Sequence, residues 1–207
     1  YSGFMNTELL KNIIRQFIKR SKEHNFQISI ARLRYDEFDN RRALVDNQFE
    51  MIEMSYEVRC KTDMLKNLIN LDNPKVSISD KCDLQELLLL AGNIFHHGRF
   101  AEDSFITKEQ SNKRYANWCT DLYNSNKGKA FMTYNNKLVG FMFFETQAES
   151  RLLLGGMDNK YSHLSILFWS SVFSLLPKGS IIKTLISASN LGVVNLYSHF
   201  GFIKENC

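Results

Sequence analysis

The sequence predicts an α/β protein in which helices cross a β-sheet that contains at least one hairpin. Three observations carry this reading. Segments with helical spacing alternate with short β-branched or alternating runs along the chain. The apolar runs 131–134 and 138–144 flank Asn135-Asn136, and asparagine tolerates the positive φ of a tight hairpin turn. The third is the order strand, helix, strand over 151–187, a unit whose strands would be parallel neighbours if the helix crosses between them.

At 207 residues, 44% hydrophobic and 23% charged, the chain can bury a full core and stands at the border between one domain and two. No apolar run approaches the roughly 20 residues that span a bilayer, so no membrane role is expected. Cys60, Cys82, Cys119 and Cys207 lack CxxC spacing. Neither a metal site nor a disulfide framework follows, and a reduced, cytoplasmic setting is expected. The net charge of +4 suits an anionic small ligand. Nucleic acid is not an expected partner, because the basic residues of the first helix do not alternate with aromatics.

In chain order, Asn6 or Thr7 caps a helix to about Lys22, with Leu9, Leu10, Ile13, Ile14, Phe17 and Ile18 on one face. Lys11, Arg15, Lys19, Arg20 and Lys22 form its solvated side. Residues 26–33 alternate as a strand, 35–47 read as a short charged helix and 49–59 as another strand. The order helix, strand, short helix, strand returns at 164–202, with Leu44 standing where Tyr197 stands in the second copy. The front part, 1–74, is therefore expected to be a small support domain and a degenerate half-repeat. Asp72-Asn73-Pro74 marks the boundary to 75–207. Ser79 or Asp80 then caps a helix over 84–95, and a second helix over 109–123 turns Tyr115, Trp118, Cys119 and Leu122 inward. After the hairpin, a strand over 151–154 ends at Gly155-Gly156, a helix spans 162–176, and 181–186 is an apolar strand. Polar Ser187, Ser189 and Asn190 lead into a short helix over 191–199, which Gly201 ends before a new extended piece at Phe202-Ile203. The chain stops at Cys207 just after that strand begins. A final strand is expected to be missing, and the edge it leaves is a place for a homodimer to form.

Two stretches are dense in groups that bind. The segment His96–Phe105, HHGRFAEDSF, holds two histidines, an arginine beside glycine, and two acids. Arg99 offers a planar fork for phosphate or carboxylate. His96 and His97 are adjacent and have no ligand-spaced partner, which argues against a metal. Tyr115 and Trp118 are core residues or the wall of a sugar or base site. The second stretch is the loop 155–163, where backbone N–H groups at a helix start can meet a phosphate. If the flanking strands are parallel neighbours, it shares one crevice with Ser187, and Tyr197 lies beside that crevice.

The run from Asn190 to Phe202, NLGVVNLYSHFGF, resembles the C-terminal motif of the GCN5-related N-acetyltransferase superfamily, where an asparagine, a tyrosine seven residues on and Gly-Phe four residues later recur. The hairpin and the strand at 151–155 stand where that fold requires them. The HHGRF segment followed by Tyr115-Ala-Asn-Trp118 further resembles the TDP-fucosamine acetyltransferase-like enzymes that acetylate nucleotide-linked amino sugars. The resemblance implies the acyl-CoA N-acyltransferase fold, with a mixed, mostly antiparallel central sheet and a smaller N-terminal α/β domain. It implies acetyl-CoA as cosubstrate, a nucleotide sugar as acceptor, and direct transfer to its amine. Carried onto this sequence, it makes Tyr197 the acid for the departing thiolate and sets Asn190 on the pantetheine or phosphate arm. The backbone at Gly155, Gly156 and Met157 would splay from its neighbour strand and bind pantetheine. His96, His97, Arg99, Tyr115 and Trp118 would take the acceptor, with His96, His97, Glu102 and Asp103 all open as the base. The pyrophosphate loop departs from the pattern: Ser162, His163, Ser165 and Leu167 replace the expected arginine and glycines, with Lys160 as a compensating charge.

Overall fold

The computed structural model describes residues 7–205, so the expected cap at Asn6 and the expected sheet edge at Cys207 lie outside the described residues. The chain divides into two compact units between Met51 and Ile52.

The first unit contains α1 (Thr7–Glu23) and α2 (Phe38–Val45). Ile14 and Ala43 are buried, and the Lys11 ammonium lies 2.8 Å from the Asp46 carboxylate. That hydrogen bond lowers the Asp46 pKa, so Lys11 is not simply solvated. The strand expected over 26–33 does not form. Ile28 and Ile30 are exposed there. Alternation makes a strand only where a neighbouring strand takes up its backbone groups. The front part therefore lacks the first strand of the expected half-repeat.

The second unit holds a seven-stranded sheet. Its strands are β1 (Ser55–Lys61), β2 (Val76–Ser79), β3 (Gly128–Tyr134), β4 (Lys137–Thr146), β5 (Ser150–Met157), β6 (Ile181–Ser187) and β7 (Ile203–Lys204), in the order β2-β3-β4-β5-β6-β1-β7. Among the described residues only β5 and β6 pair in parallel; every other pair is antiparallel. The sheet is thus mixed and mostly antiparallel, as expected. The hairpin turn sits at Asn135 and Asn136, with φ of 49° and 64°, the left-handed geometry that a two-residue connection demands.

Two features differ from the sequence reading. Strand β1 does not belong to the front part: it pairs with β6 from Ser55↔Ser187 to Lys61↔Ile181 and with β7 on its other side. Strand β2 falls inside the stretch read as a boundary.

Helices cover both faces of the sheet. On one, α3 (Leu84–Ile94) and α4 (Lys108–Tyr123) bring Leu87, Ala91, Tyr115 and Cys119 onto Phe131, Phe141 and Phe143. Asp83, rather than Ser79 or Asp80, caps α3 by accepting from Glu86 N at 3.0 Å. Thr107 and Gln110 close a reciprocal capping box on α4. On the other face, α5 (Ser165–Ser174) and α6 (Leu191–His199) bring Phe168, Val172, Phe173 and Tyr197 onto Met132, Met142, Phe144 and Ile182. Alternation over 141–144 of β4 sends Phe141 and Phe143 to the first core and Met142 and Phe144 to the second. Gly201, with φ of 83°, ends α6 in the left-handed conformation of a C-terminal stop.

Candidate functional site

The sheet opens at its one parallel junction. Strands β5 and β6 are in register only at Ser150↔Ile182 and Arg151↔Lys183. Beyond that, β5 stays on β4 as far as Met157, while β6 stays on β1 as far as Ser187. One side-chain tie remains past the last pair, Thr184 Oγ1 donating to Leu152 O at 3.2 Å. The inner edges of the two arms therefore have no strand between them. Such an edge presents backbone donors and acceptors to whatever enters, at the kind of crevice where open α/β sheets hold ligands.

Tyr197 stands at the root of this fork. Its hydroxyl accepts from Trp169 Nε1 at 3.1 Å and is also hydrogen-bonded with Thr184. Tyr197 is buried, with the edge of Phe202 against its ring at 4.9 Å between centroids. Burial pushes its pKa up to about 12 against the pull of both hydrogen bonds.

A loop spans the mouth of the fork. At Gly156, on the β5 arm, an added Cβ would lie 2.5 Å from Ile94 Cδ1 at the end of α3. At Gly155 it would lie 2.9 Å from the Phe141 carbonyl oxygen. Backbone packing thus demands glycine at 155 independently of any ligand, whereas at 156 the neighbour is the flexible end of a side chain. On the β6 arm, His97 Nδ1 lies 3.2 Å from Ser189 Oγ and 3.5 Å from Glu102 Oε1. Ser189 Oγ also donates to Glu102 and sits 2.9 Å from Ser187 Oγ. The Ser189 hydrogen bond, more than any other interaction, lowers the Glu102 pKa. The loop is braced from below: Arg99 N donates to Glu53 Oε2 at 3.2 Å, and Tyr115 is buried with its ring stacked 4.2 Å from Phe95 and its hydroxyl 3.5 Å from the His97 carbonyl.

The sequence-predicted residues fall into three groups. His97 faces the end of β6, and the Arg99 guanidinium lies over the Phe100 ring at 5.0 Å. Tyr115 is beneath the loop and Trp118 packs against the same core, while His96 is exposed and Asp103 accepts from Phe105 N within its own turn. Along the other predicted stretch, a 3₁₀ turn over Asn159–Leu164 precedes α5. In it Lys160 N and Tyr161 N already donate to Asp158. The side chains of Lys160, Ser162 and His163 stand on residues exposed to solvent. Leu164 gives α5 no side-chain cap, which leaves the positive end of its dipole without an acidic side chain. Asn190 caps α6 through Oδ1, which accepts from Val193 N at 3.1 Å. Trp169, Thr184, Ser189 and Glu53 were not anticipated. The signal for Ser189 was its place in the polar run after β6; Trp169 and Thr184 carry no local signal. No group of metal-binding side chains occurs among the described residues, and no helix there is long and apolar enough to cross a membrane.

No family model and no curated protein matches the chain. Solved structures do. A functionally unknown conserved protein from Staphylococcus epidermidis aligns at a TM-score of 0.66 and 11% identity, over 95% of this chain and 77% of that one. A GCN5-related N-acetyltransferase from Sphaerobacter thermophilus aligns at 0.60 and 11%, over 95% and 65%. An acetyltransferase of the GNAT family from Colwellia psychrerythraea aligns at 0.55 and 13%, over 96% and 68%. The chain thus spans about two thirds of the length of these two acetyltransferases. Likeness at this identity establishes the fold: a mixed, mostly antiparallel sheet with flanking helices, as in the GCN5-related acyl-CoA transferases.

Proposed function

We propose that this chain is an acyl-CoA-dependent N-acetyltransferase that acetylates an amine by direct transfer, with a nucleotide-linked amino sugar as the acceptor. The observation that carries the reading is the fork: a parallel pair that separates after two residues, with a tyrosine hydroxyl at its root. A thioester arm laid along the inner edge of Gly155–Met157 finds unpaired backbone groups of the kind an extended chain uses. The pyrophosphate end would reach the uncapped start of α5, where Lys160 supplies charge and Ser162 and His163 supply donors. These residues replace the glycines common in the fold, so the anion is met by side chains as well as by backbone. The acceptor class rests on the loop residues His96 and Arg99, whose donors suit a sugar phosphate, with His97 beside them.

Acetyl-CoA supplies the activated acyl group, and the remaining chemistry falls to the chain. Backbone N–H groups of the open β5 edge would bind the carbonyl oxygen as charge develops on it. Tyr197 would return a proton as the C–S bond breaks. A phenol near 12 is a poor donor to a free thiolate, whose thiol titrates near ~8.5. Tyr197 is sequestered, and this favours a second reading, a binding module that holds an acyl-CoA without turning it over.

Mass-spectrometric assay of acetyl transfer from acetyl-CoA to a TDP-linked 4-amino sugar, run beside spermidine and a short peptide amine, tests the proposal. Transfer to the sugar alone supports it in full. Transfer only to another amine would retain the chemistry and discard the acceptor. No transfer, despite saturable acetyl-CoA binding, would leave the binding module.

A further inference from the structure

The loop over the fork carries a set of three side chains whose hydrogens are all accounted for. Ser189 Oγ has a single hydrogen, and it goes to Glu102 Oε1. Ser189 can therefore only accept from its other neighbours, and His97 Nδ1, 3.2 Å away, must be the donor. The second oxygen facing Nδ1 is the Glu102 carboxylate at 3.5 Å, which also calls for a hydrogen on that nitrogen. Nδ1 of His97 thus carries a hydrogen, and in the neutral ring this leaves the Nε2 lone pair to take a proton. The side chain is 43% exposed, so a ligand can reach it. Its backbone is pinned through the Gly98 turn, where φ is 98° and both Ala101 N and Glu102 N donate to Gly98 O. Tyr115 and Glu53 brace the same turn.

The position matters as much as the tautomer. Ile94, at one end of the loop, packs on Gly156 of the β5 arm, while His97 and Glu102 hold Ser189 just past the β6 arm. The loop thus joins the β5 arm to the turn that follows the β6 arm. Among the described residues His96 and Asp103 make no side-chain hydrogen bond or ion pair with the set of three; Asp103 is engaged in its own turn.

We propose that His97 is the base that deprotonates the acceptor amine, with Ser189 and Glu102 as positioning residues that fix its tautomer. This rests on the N-acetyltransferase reading above. An ammonium acceptor gives one proton to Nε2, making an imidazolium beside the Glu102 carboxylate. The freed amine nitrogen bonds to the thioester carbonyl carbon and loses its second proton to solvent, the C–S bond breaks, and the thiolate leaves with a proton from Tyr197; the imidazolium then gives its proton to solvent and the phenolate takes one up, which restores both side chains.

The test uses the full chain. In acetyl transfer to the TDP-linked 4-amino sugar, spermidine and the peptide amine, His97→Ala should lower kcat by about 100-fold. Acetyl-CoA affinity should stay within about twofold, and added imidazole should restore part of the rate. Nitrogen-15 NMR of the histidine ring should show one Nδ1–H tautomer in the wild type and a mixture in Ser189→Ala and Glu102→Gln, whose kcat falls while acetyl-CoA binding holds. Wild-type transfer that is unchanged in His97→Ala, or lost without imidazole rescue, overturns the role of His97 and leaves the acetyltransferase reading intact. A wild type that acetylates none of the three amines overturns both.

Discussion

Trp169 and Tyr197 form one buried hydrogen-bonded pair, Nε1 to hydroxyl at 3.1 Å, and the pair sets what happens when either is changed. Tyr197→Phe leaves the indole N–H without its acceptor, so chemical denaturation should show a loss of about 1–3 kcal/mol. Trp169→Phe combined with Tyr197→Phe should cost less than the two single losses added together, since no orphan group remains. An additive cycle would show that the hydrogen bond contributes nothing. The same phenol makes a pH prediction. Its folded pKa lies near 12, above an unfolded value near ~10. The unfolded chain therefore loses this proton first as pH rises, and stability is full below pH ~10 and falls between ~10 and ~12, by roughly 3 kcal/mol in all. Phenolate absorbance should show one of the eight tyrosines titrating last, and Tyr197→Phe should abolish that late step. The Asn190 cap and the Gly201 stop were both legible in the sequence, because capping and left-handed turns are written in the residues that make them. The Trp169 pair was not, because the two residues meet only when α5 and α6 are laid on one sheet face.

Among the elements, the fork depends on how tightly β5 packs against its neighbours. An added methyl at Gly155 meets a carbonyl oxygen at 2.9 Å, whereas at Gly156 it meets a flexible isoleucine end at 2.5 Å. Gly155→Ala should therefore destabilise by about 1–3 kcal/mol. Gly156→Ala should cost less, since Ile94 can turn away; urea midpoints of the two variants would settle the order. The hairpin was readable from Asn135-Asn136 and the alternation on either side. Strand β2 was missed because four residues between a proline turn and Asp80 show too little period to read. Residues 26–33 were misread for the opposite reason: alternation is there, but a strand also needs a partner. The His97 and Ser189 contact joins residues 92 positions apart, so their chemistry was visible locally while their meeting was not.

At the scale of the molecule, β1 is the decisive placement. It is sandwiched between β6 and β7, a long-range pairing that no local pattern encodes, and the expected boundary at 74 would cut it away. A chain beginning at Ile52 retains all seven strands and should melt cooperatively. One beginning at Lys75 loses β1, strands β7 from the sheet and bares the flank of β6; it should show no cooperative transition by circular dichroism. Equal melting of the two would remove β1 from the architecture described here. The central claim, that the opening between β5 and β6 takes an acyl-CoA, is tested most directly by calorimetric titration of acetyl-CoA into the full chain. Saturable binding at one site, weakened by Gly155→Val on the open arm, is the predicted result. Absence of binding in a folded wild-type protein would contradict it.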